Sequence, residues 1–155
     1  MTISERDAHQ RVLVTLIGRL QFWLMDGELR TLPTVLDLED EQVKPDIFWV
    51  SDTNQRCQVT EDGTWQGAPD LVIEVVSPET EAADRGKKFA LYQASQVFEY
   101  WIVNPVSRFV EVYVLLNRRF QRTGLYEVGE NFSSGVLNGR VFEVNDVLGI
   151  RSKNQ

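Results

Sequence analysis

The sequence predicts a single α/β domain over residues 1–155, with a mixed β-sheet flanked by helices. Residues 69–76 form an apolar, β-branched run that is typical of a central strand covered on both faces. A helical pattern and a second apolar run at 98–104 follow it, and this order indicates a parallel strand pair joined by a right-handed crossover. A chain of 155 residues, 43% of them hydrophobic, has the size of one globular domain.

A long amphipathic helix is predicted near the N-terminus, over about residues 5–25. Ser4 followed by Asp7 matches an N-cap with an acidic residue in the first turn, and apolar residues then recur at helical spacing. Gly27 ends the helix, because glycine accepts the left-handed conformation.

The next segments are two predicted strands and a loop. Residues 34–38 and 43–51 have strand patterns on either side of the acidic turn 39–41. Residues 53–67 are polar and irregular, and we expect a loop there.

A second helix, over about residues 79–94, is predicted between the two central strands, because Pro78 suits an early helical position. Beyond the strand 98–104, a turn at Asn104-Pro105 leads into strands at 109–116 and 120–128, which form a C-terminal β-hairpin extension. A short turn is predicted at 144–148.

The charge of the chain is unevenly distributed along the sequence. The formal net charge is −7, which disfavours nucleic-acid binding as a whole. However, residues 36–84 hold 13 Asp/Glu against 2 Lys/Arg, whereas residues 85–122 hold 7 Lys/Arg against 2 Asp/Glu. One part therefore suits metal ions and another suits phosphate, although an ordinary solvated surface is the alternative.

Several classes of protein are disfavoured by what the sequence contains. No apolar stretch approaches the roughly 20 residues needed to cross a bilayer, and residues 1–10 are polar, so we expect a cytoplasmic protein without a membrane partner. The single histidine, His9, and the single cysteine, Cys57, supply too few ligands for zinc and no motif for nucleophilic catalysis. We expect His9 to be a helix-surface residue.

Two acidic residues lie in apolar strand patterns. Strand alternation places Glu74 on the same face as Val72 and Val76, and Asp46 lies in the neighbouring predicted strand. Because an ionised carboxylate is costly to bury without a partner, two such acids pointing the same way would suit Mg²⁺. The alternative is an Asp that caps a turn and a Glu that meets an internal Lys or Arg.

Three more residues are candidates for the site. Lys88 follows the Glu74 strand on the next helix, where it could stabilise charge on a phosphate, or simply form a surface pair with Asp84. Asp70 is either a further ligand or a turn acid. Tyr92, one helical turn after Lys88, is an accessory candidate that is also typical of the core edge.

Several ordered blocks of the chain resemble the Uma-two family of restriction-type endonucleases, within the PD-(D/E)XK nuclease superfamily. The likeness covers roughly residues 9–113. Its blocks are Pro45-Asp46, Ala68-Pro69-Asp70-Leu71-Val72-Ile73-Glu74-Val75-Val76-Ser77-Pro78, Asp84-Arg85-Gly86-Lys87-Lys88 with Tyr92, Glu99-Tyr100-Trp101-Ile102-Val103-Asn104-Pro105 and Val110-Glu111-Val112-Tyr113.

This resemblance implies a restriction-endonuclease-like core and a site for Mg²⁺ or Mn²⁺. It assigns Asp46 and Glu74 as catalytic metal ligands, with Val75 as a further ligand. The lysine that superfamily members usually carry two residues after the Glu is replaced here by Val76, so the catalytic lysine is displaced to the helix. Lys88 is the expected residue and Lys87 the weaker candidate.

The function expected from the resemblance is metal-dependent hydrolysis of DNA phosphodiester bonds. The alternative is a catalytically inactive module of the same fold that binds nucleic acid or protein. The acidic net charge favours this alternative, as does the lack of the family's usual leader before His9. A sugar hydrolase would need an acid–base carboxylate pair in a sugar cleft, which nothing in the sequence indicates.

We expect a homodimer, because duplex cleavage in this architecture commonly uses two sites related by a two-fold axis. The candidate interfaces are Phe22 and Trp23 on the first helix, or the edge of the hairpin 109–128.

Overall fold

The protein is built on twelve strands and four helices within residues 2–151, which are the residues that the computed structural model describes. The helices are α1 (Ile3–Trp23), α2 (Glu81–Arg85), α3 (Lys87–Ala94) and α4 (Val144–Val147). The strands are β1 (Glu28–Thr31), β2 (Leu36–Leu38), β3 (Glu41–Val43), β4 (Ile47–Val50), β5 (Gln58–Val59), β6 (Trp65–Gln66), β7 (Leu71–Val75), β8 (Glu99–Asn104), β9 (Phe109–Leu116), β10 (Arg119–Glu127), β11 (Asn131–Ser134) and β12 (Arg140–Glu143).

A mixed six-stranded sheet forms the centre of the fold, with strand order β1-β4-β7-β8-β9-β10. The pair β7 and β8 is parallel and connected through α2 and α3, as the strand–helix–strand pattern predicts. The other neighbours are antiparallel, and β9 and β10 form the predicted hairpin. The α/β class with a mixed sheet flanked by helices is confirmed.

Two smaller sheets come from segments in which the sequence patterns are weak. The predicted loop 53–67 contains β5 and β6, which join β2 and β3 in a sheet of order β3-β2-β6-β5. The tail forms the pair β11 and β12 before α4. These strands are two to four residues long, too short to produce a clear alternation, so the loop prediction is wrong there.

The acidic turn lies between β2 and β3, and the predicted strand 43–51 is interrupted at residues 44–46, which separate β3 from β4. Glu39 and Asp40 have φ values of 49° and 63°, as in a two-residue hairpin turn. β3 therefore folds back on β2, and β4 in the central sheet begins only at Ile47. Asp46 lies immediately before β4, not inside a strand.

Helix α1 begins earlier than predicted, because Thr2 caps it. The Glu5 amide donates to Thr2 Oγ1 over 3.1 Å, and the Thr2 amide donates to Glu5 Oε2 over 2.8 Å. This reciprocal pair is a capping box. The same pattern of a hydroxyl residue followed by an acid occurs two residues later at Ser4 and Asp7, so the sequence offered two starts.

The helix predicted over 79–94 is two helices that meet at Gly86. Gly86 has φ −104° and ψ −93°, which is not a helical conformation, and it ends α2 and precedes α3. The break in helical conformation comes directly before Lys87 and Lys88.

Two apolar layers cover the faces of the central sheet. Ile73 and Val75 point toward α1 and pack in one layer with α1 residues such as Leu16. Val72 and Val76 point to the opposite layer, which contains Leu91 and Tyr92 of α3. The alternation predicted along β7 is therefore observed, and Glu74 faces α3.

Within residues 2–151, no helix is long and apolar enough to cross a membrane.

Candidate active site

Glu74 is one of the buried acids of the central sheet and contacts two residues of α3. Its exposed fraction is 1%. The Tyr92 hydroxyl donates a hydrogen bond to Glu74 Oε1 over 2.7 Å, and Lys88 Nζ lies 3.5 Å from Oε2. Both contacts come from the helix that the crossover places over this face of β7.

Asp46 lies beside Glu74, because the pairing of β4 with β7 brings the two strand ends together. Ile47 pairs with Ile73 in antiparallel register, so the preceding residue, Asp46, comes next to Glu74. Asp46 Oδ2 accepts a hydrogen bond of 2.8 Å from the Val75 amide. Pro45, before it, has no amide hydrogen to continue the strand.

Asp84 joins these acids from α2. Its exposed fraction is 1%, and its Oδ1 atom lies 3.0 Å from Lys88 Nζ. Within the described chain, Oδ1 accepts no hydrogen bond of regular geometry, so the contact is an ion pair rather than an aligned hydrogen bond. The Tyr100 hydroxyl donates to the Asp84 main-chain oxygen over 2.9 Å and holds the end of α2 on the sheet.

The surroundings of Glu74 and Asp46 disfavour the ionised forms of these two carboxyl groups. Burial, and then the charge of Asp46, raise the pKa of Glu74 to about 8. Burial also raises the pKa of Asp46, against the opposing effects of the Val75 amide and of His9 and Lys88. The site therefore favours positive charge.

Lys88 supplies such a charge. Burial alone would lower the pKa of Lys88, but the carboxylates of Glu74 and Asp84 outweigh this effect and raise it. The side chain retains 28% exposure, so its ammonium group contacts both the buried acids and the solvent. Lys87, the weaker candidate, is exposed.

His9 also lines the small cavity, of about 200 Å³, that contains Asp46, Glu74, Asp84 and Lys88. Its Nε2 atom lies 2.7 Å from the main-chain oxygen of Val75. His9 is half-buried, which corrects the expectation of a helix-surface residue. Helical periodicity placed His9 on α1, but only the packing of α1 on β7 brings it to this cavity.

Asp70 does not belong to this group. Its Oδ1 atom accepts hydrogen bonds from the Ser51 amide over 2.9 Å and from Asn54 Nδ2 over 2.7 Å. These contacts hold the loop after β4, so Asp70 acts as a turn acid and not as a further ligand.

A second charged cluster lies next to the site on the same face of the sheet. Glu111 has 2% of its side chain exposed, and it contacts Arg85, Arg122 and the Tyr113 hydroxyl. Burial would raise the pKa of Glu111, but hydrogen bonds from Arg85 and Tyr113 outweigh it and lower the pKa. Arg85 follows Asp84 in α2, so the cluster helps to hold α2 over the sheet.

The sequence model of the Uma2 family, described as "Putative restriction endonuclease", matches residues 1–145. The chain belongs to the Uma2 family. This membership supports a nuclease-like function.

Two further similarities accompany the family match. The uncharacterized protein slr1290 of Synechocystis sp. (strain ATCC 27184 / PCC 6803 / Kazusa) is 35% identical over 79 aligned positions, which cover 44% of this chain and 42% of that protein. The alignment therefore spans less than half of the relative. A crystal structure described as a putative nuclease belonging to DUF820, from Anabaena variabilis ATCC 29413, superposes with a TM-score of 0.67. It is 15% identical, covers 92% of this chain and 81% of its own, and shows a shared fold.

The oxygen atoms at this site of the Uma2 protein suit a hard cation. Among residues 2–151, no group of three or more His, Cys, Asp or Glu side chains is arranged as a ready metal site. Mg²⁺, however, commonly takes only one or two carboxylates and completes its shell with water. Asp46, Glu74 and the carbonyl of Val75 could provide such ligands, and the pKa values of the two acids stay raised beside Lys88, which fits a place where further positive charge is favourable.

Proposed function

We propose that this Uma2 protein is a metal-dependent DNA endonuclease, with Asp46, Glu74 and Lys88 as its catalytic residues. The observation that carries the proposal is the placement of the Lys88 ammonium 3.5 Å from Glu74, at the end of β7 where Asp46 also lies. Family membership supports the nuclease class, and this grouping of two acids and a lysine supports the finer assignment.

The metal would be Mg²⁺ or Mn²⁺, held by Asp46, Glu74 and the Val75 carbonyl. Bound there, it would neutralise charge on the phosphate and lower the pKa of water.

The chain's own groups contribute binding and positioning. Lys88 is 28% exposed, so its ammonium can contact a phosphate oxygen and stabilise the charge that develops on it. Asp84 holds this ammonium from α2 over 3.0 Å, and Tyr92 holds Glu74 from α3 over 2.7 Å. Tyr92 and Asp84 are therefore positioning residues.

A catalytically inactive binding module of the same fold is the second candidate. Its support is the contact of Lys88 with both Glu74 and Asp84, because an ammonium between two buried carboxylates can balance their charge without a metal ion. The net charge of −7 also limits DNA affinity.

A cleavage assay separates the two candidates. Supercoiled, double-stranded and single-stranded DNA are incubated with the protein and Mg²⁺ or Mn²⁺ at low ionic strength, where weak electrostatic binding is strongest. Wild-type protein should cut, and Asp46→Asn and Glu74→Gln should not. Asp70→Asn is the matched control, because Asp70 lies in the same strand region but holds a loop. Folded wild-type protein that binds metal and leaves all three DNA forms intact would exclude the endonuclease and leave the binding module as the remaining candidate.

A further inference from the structure

An arginine-lined cavity of about 650 Å³ lies beside the candidate active site. Its walls come from α1, from the turn between β8 and β9, and from the segment after α4. Four arginines line it: Arg11, Arg19, Arg108 and Arg151. A concave surface with this charge is suited to an anion, in a protein whose net charge is −7.

Two of these arginines have no acidic partner in the part of the chain that the structure describes. No carboxylate of residues 2–151 lies within ion-pair distance of Arg108 or Arg151. Both side chains belong to exposed residues.

The other two arginines have acidic partners but keep exposed guanidinium groups. Arg11 lies 3.0 Å from Asp7, with 66% and 68% of the two side chains exposed. Arg19 lies 3.3 Å from Asp146, with 41% and 36% exposed. Such surface pairs contribute little stability, so an anionic ligand can compete for these arginines.

Local structure holds the arginines in place around the cavity. Arg11, Thr15 and Arg19 are spaced four residues apart and so share one face of α1. Gly149, with φ +66°, turns the chain after α4, and a Cβ there would lie 3.1 Å from Thr15 Oγ1. This close approach brings the segment that carries Arg151 onto α1.

The cavity and the candidate active site lie at the same end of the central sheet, where the carboxyl ends of β7 and β8 meet. β7 and β8 run parallel, with Val75 opposite Val103, so Pro105 and Arg108 follow β8 at the same edge where Val75 ends β7. On α1, His9 contacts Val75, and the preceding residue, Ala8, lines the cavity. Neighbouring helical positions differ by about 100° around the axis, so the two sites lie on adjacent sides of α1.

We propose that this cavity binds the sugar–phosphate backbone of DNA alongside the candidate active site. Arg11 and Arg19 are separated by roughly 12 Å along the helix axis, at 1.5 Å per residue, and a DNA strand places one phosphate every 3.4 Å along the duplex axis. The arginine row is thus longer than the axial spacing of two neighbouring phosphates. The identity of the ligand as DNA rests on the proposed nuclease function, while the preference of the cavity for phosphate groups rests on its own charges.

The test is a binding measurement in EDTA, where no metal-dependent cleavage takes place. Fluorescence anisotropy of labelled single- and double-stranded DNA is recorded over a series of chloride concentrations. The cavity variant is Arg108→Gln/Arg151→Gln, and the control is Arg118→Gln/Arg119→Gln, which removes the same charge from exposed residues at the β9–β10 turn. Arg108→Lys/Arg151→Lys keeps the charge and should retain most of the binding.

The cavity variant should bind DNA about tenfold more weakly at low salt, and the slope of log K against log salt should fall by about 2, one for each arginine–phosphate pair that the substitutions remove. The control should keep wild-type values, and equal melting temperatures should show that both variants are folded. Equal losses in the two double variants would overturn the proposal, as would wild-type protein that binds no DNA. Displacement of DNA by inorganic phosphate far better than by chloride of equal ionic strength would instead identify a small-anion site.

The two proposals fail in different ways. DNA binding through the cavity without cleavage in Mg²⁺ or Mn²⁺ would remove the nuclease proposal and leave the cavity. Cleavage that is unchanged in Arg108→Gln/Arg151→Gln would remove the cavity proposal and leave the nuclease proposal.

Discussion

Lys88 Nζ lies 3.5 Å from Glu74 Oε2, across the contact between α3 and β7. The same ammonium lies 3.0 Å from Asp84 Oδ1. The lysine therefore brings its positive charge to the buried acids from helix α3. In the usual superfamily arrangement the lysine lies on the strand, at the position that Val76 occupies here. The apolar Val76 instead belongs to the core layer beneath α3.

Replacing Lys88 should therefore reduce catalysis far more than replacing Lys87. With Lys88→Ala, we expect the rate of DNA cleavage to fall by roughly 10²–10³, the effect of removing one preorganised charge-stabilising donor. Lys87→Ala is the matched control, because Lys87 is exposed and changes the net charge equally. Single-turnover cleavage rates measure the effect, and equal losses in both variants would refute the role of Lys88.

Divalent metal should stabilise the folded protein through Asp46 and Glu74. Metal at 100 times its dissociation constant adds about 2.7 kcal/mol, which corresponds to an increase of several degrees in melting temperature. Glu74→Gln and Asp46→Asn should lose this response, whereas Asp70→Asn should keep it because Asp70 is bonded to the loop after β4. Thermal melts with Mg²⁺ and with EDTA test this, and an unchanged response in Glu74→Gln would contradict the metal site.

Tyr92→Phe should lower stability without changing the fold. The Tyr92 side chain is fully buried, and its hydroxyl donates to Glu74. Its removal leaves a buried acceptor short of one donor, at a cost of about 1–3 kcal/mol. Urea denaturation measures the change, with Tyr126→Phe as the control, because Tyr126 keeps its ring contact with Phe132 in either form. If Tyr92→Phe lowers the free energy of unfolding no more than Tyr126→Phe does, the hydrogen bond to Glu74 contributes nothing to stability.

The stability of the protein should depend on pH through Glu99. Glu99 Oε2 accepts hydrogen bonds from Trp101 Nε1 over 2.7 Å and from Ser134 Oγ over 2.5 Å, but burial outweighs them and raises the pKa of Glu99. A raised folded pKa means that the contribution of this group to stability is complete below 4.5 and is lost as pH rises through the folded pKa. The free energy of unfolding of Glu99→Gln should therefore improve relative to wild type as pH rises.

Glu111→Gln is the control of opposite sign for that measurement. Because the pKa of Glu111 is lowered, its contribution is present above 4.5 and is lost as pH falls through the folded pKa. Relative to wild type, Glu111→Gln should therefore be most destabilised near neutral pH. Denaturation of the three proteins at about pH 3, about pH 4.5 and about pH 7.5 separates the two trends, because the Glu111 contribution is lost below pH 4.5 and the Glu99 contribution is lost above it. If the stabilities of Glu99→Gln and Glu111→Gln relative to wild type changed in the same direction with pH, the opposite pKa shifts of Glu99 and Glu111 would be contradicted.

Self-association should depend on the exposed end of α1. Phe22 is 80% exposed, whereas Trp23 is partly buried against the core, with its ring 5.3 Å from that of Phe142. Phe22→Ser should therefore weaken the proposed homodimer, and Ile3→Ser, at the other end of α1, should not. Sedimentation at micromolar concentration provides the measurement, and a monomeric wild-type protein would remove the dimer proposal.

The sequence by itself determined the elements that have strong periodic patterns. The alternation along β7 put Glu74 on the face of Val72 and Val76, and the crossover from β7 to β8 and the hairpin of β9 and β10 followed from apolar runs and turn residues. The family followed from ordered motifs. Such features depend on neighbouring residues in the chain, and so a local pattern is sufficient to predict them.

Only the tertiary structure decided which residues meet at the site. His9 from α1 and Asp84 from α2 join Glu74 because α1 packs at the end of β7 and the break at Gly86 orients α2 and α3. The short strands β5 and β6 likewise exist through pairing with β2. These contacts join residues that are far apart in the chain, and their free energy comes from the burial of surfaces that no local pattern of residues specifies.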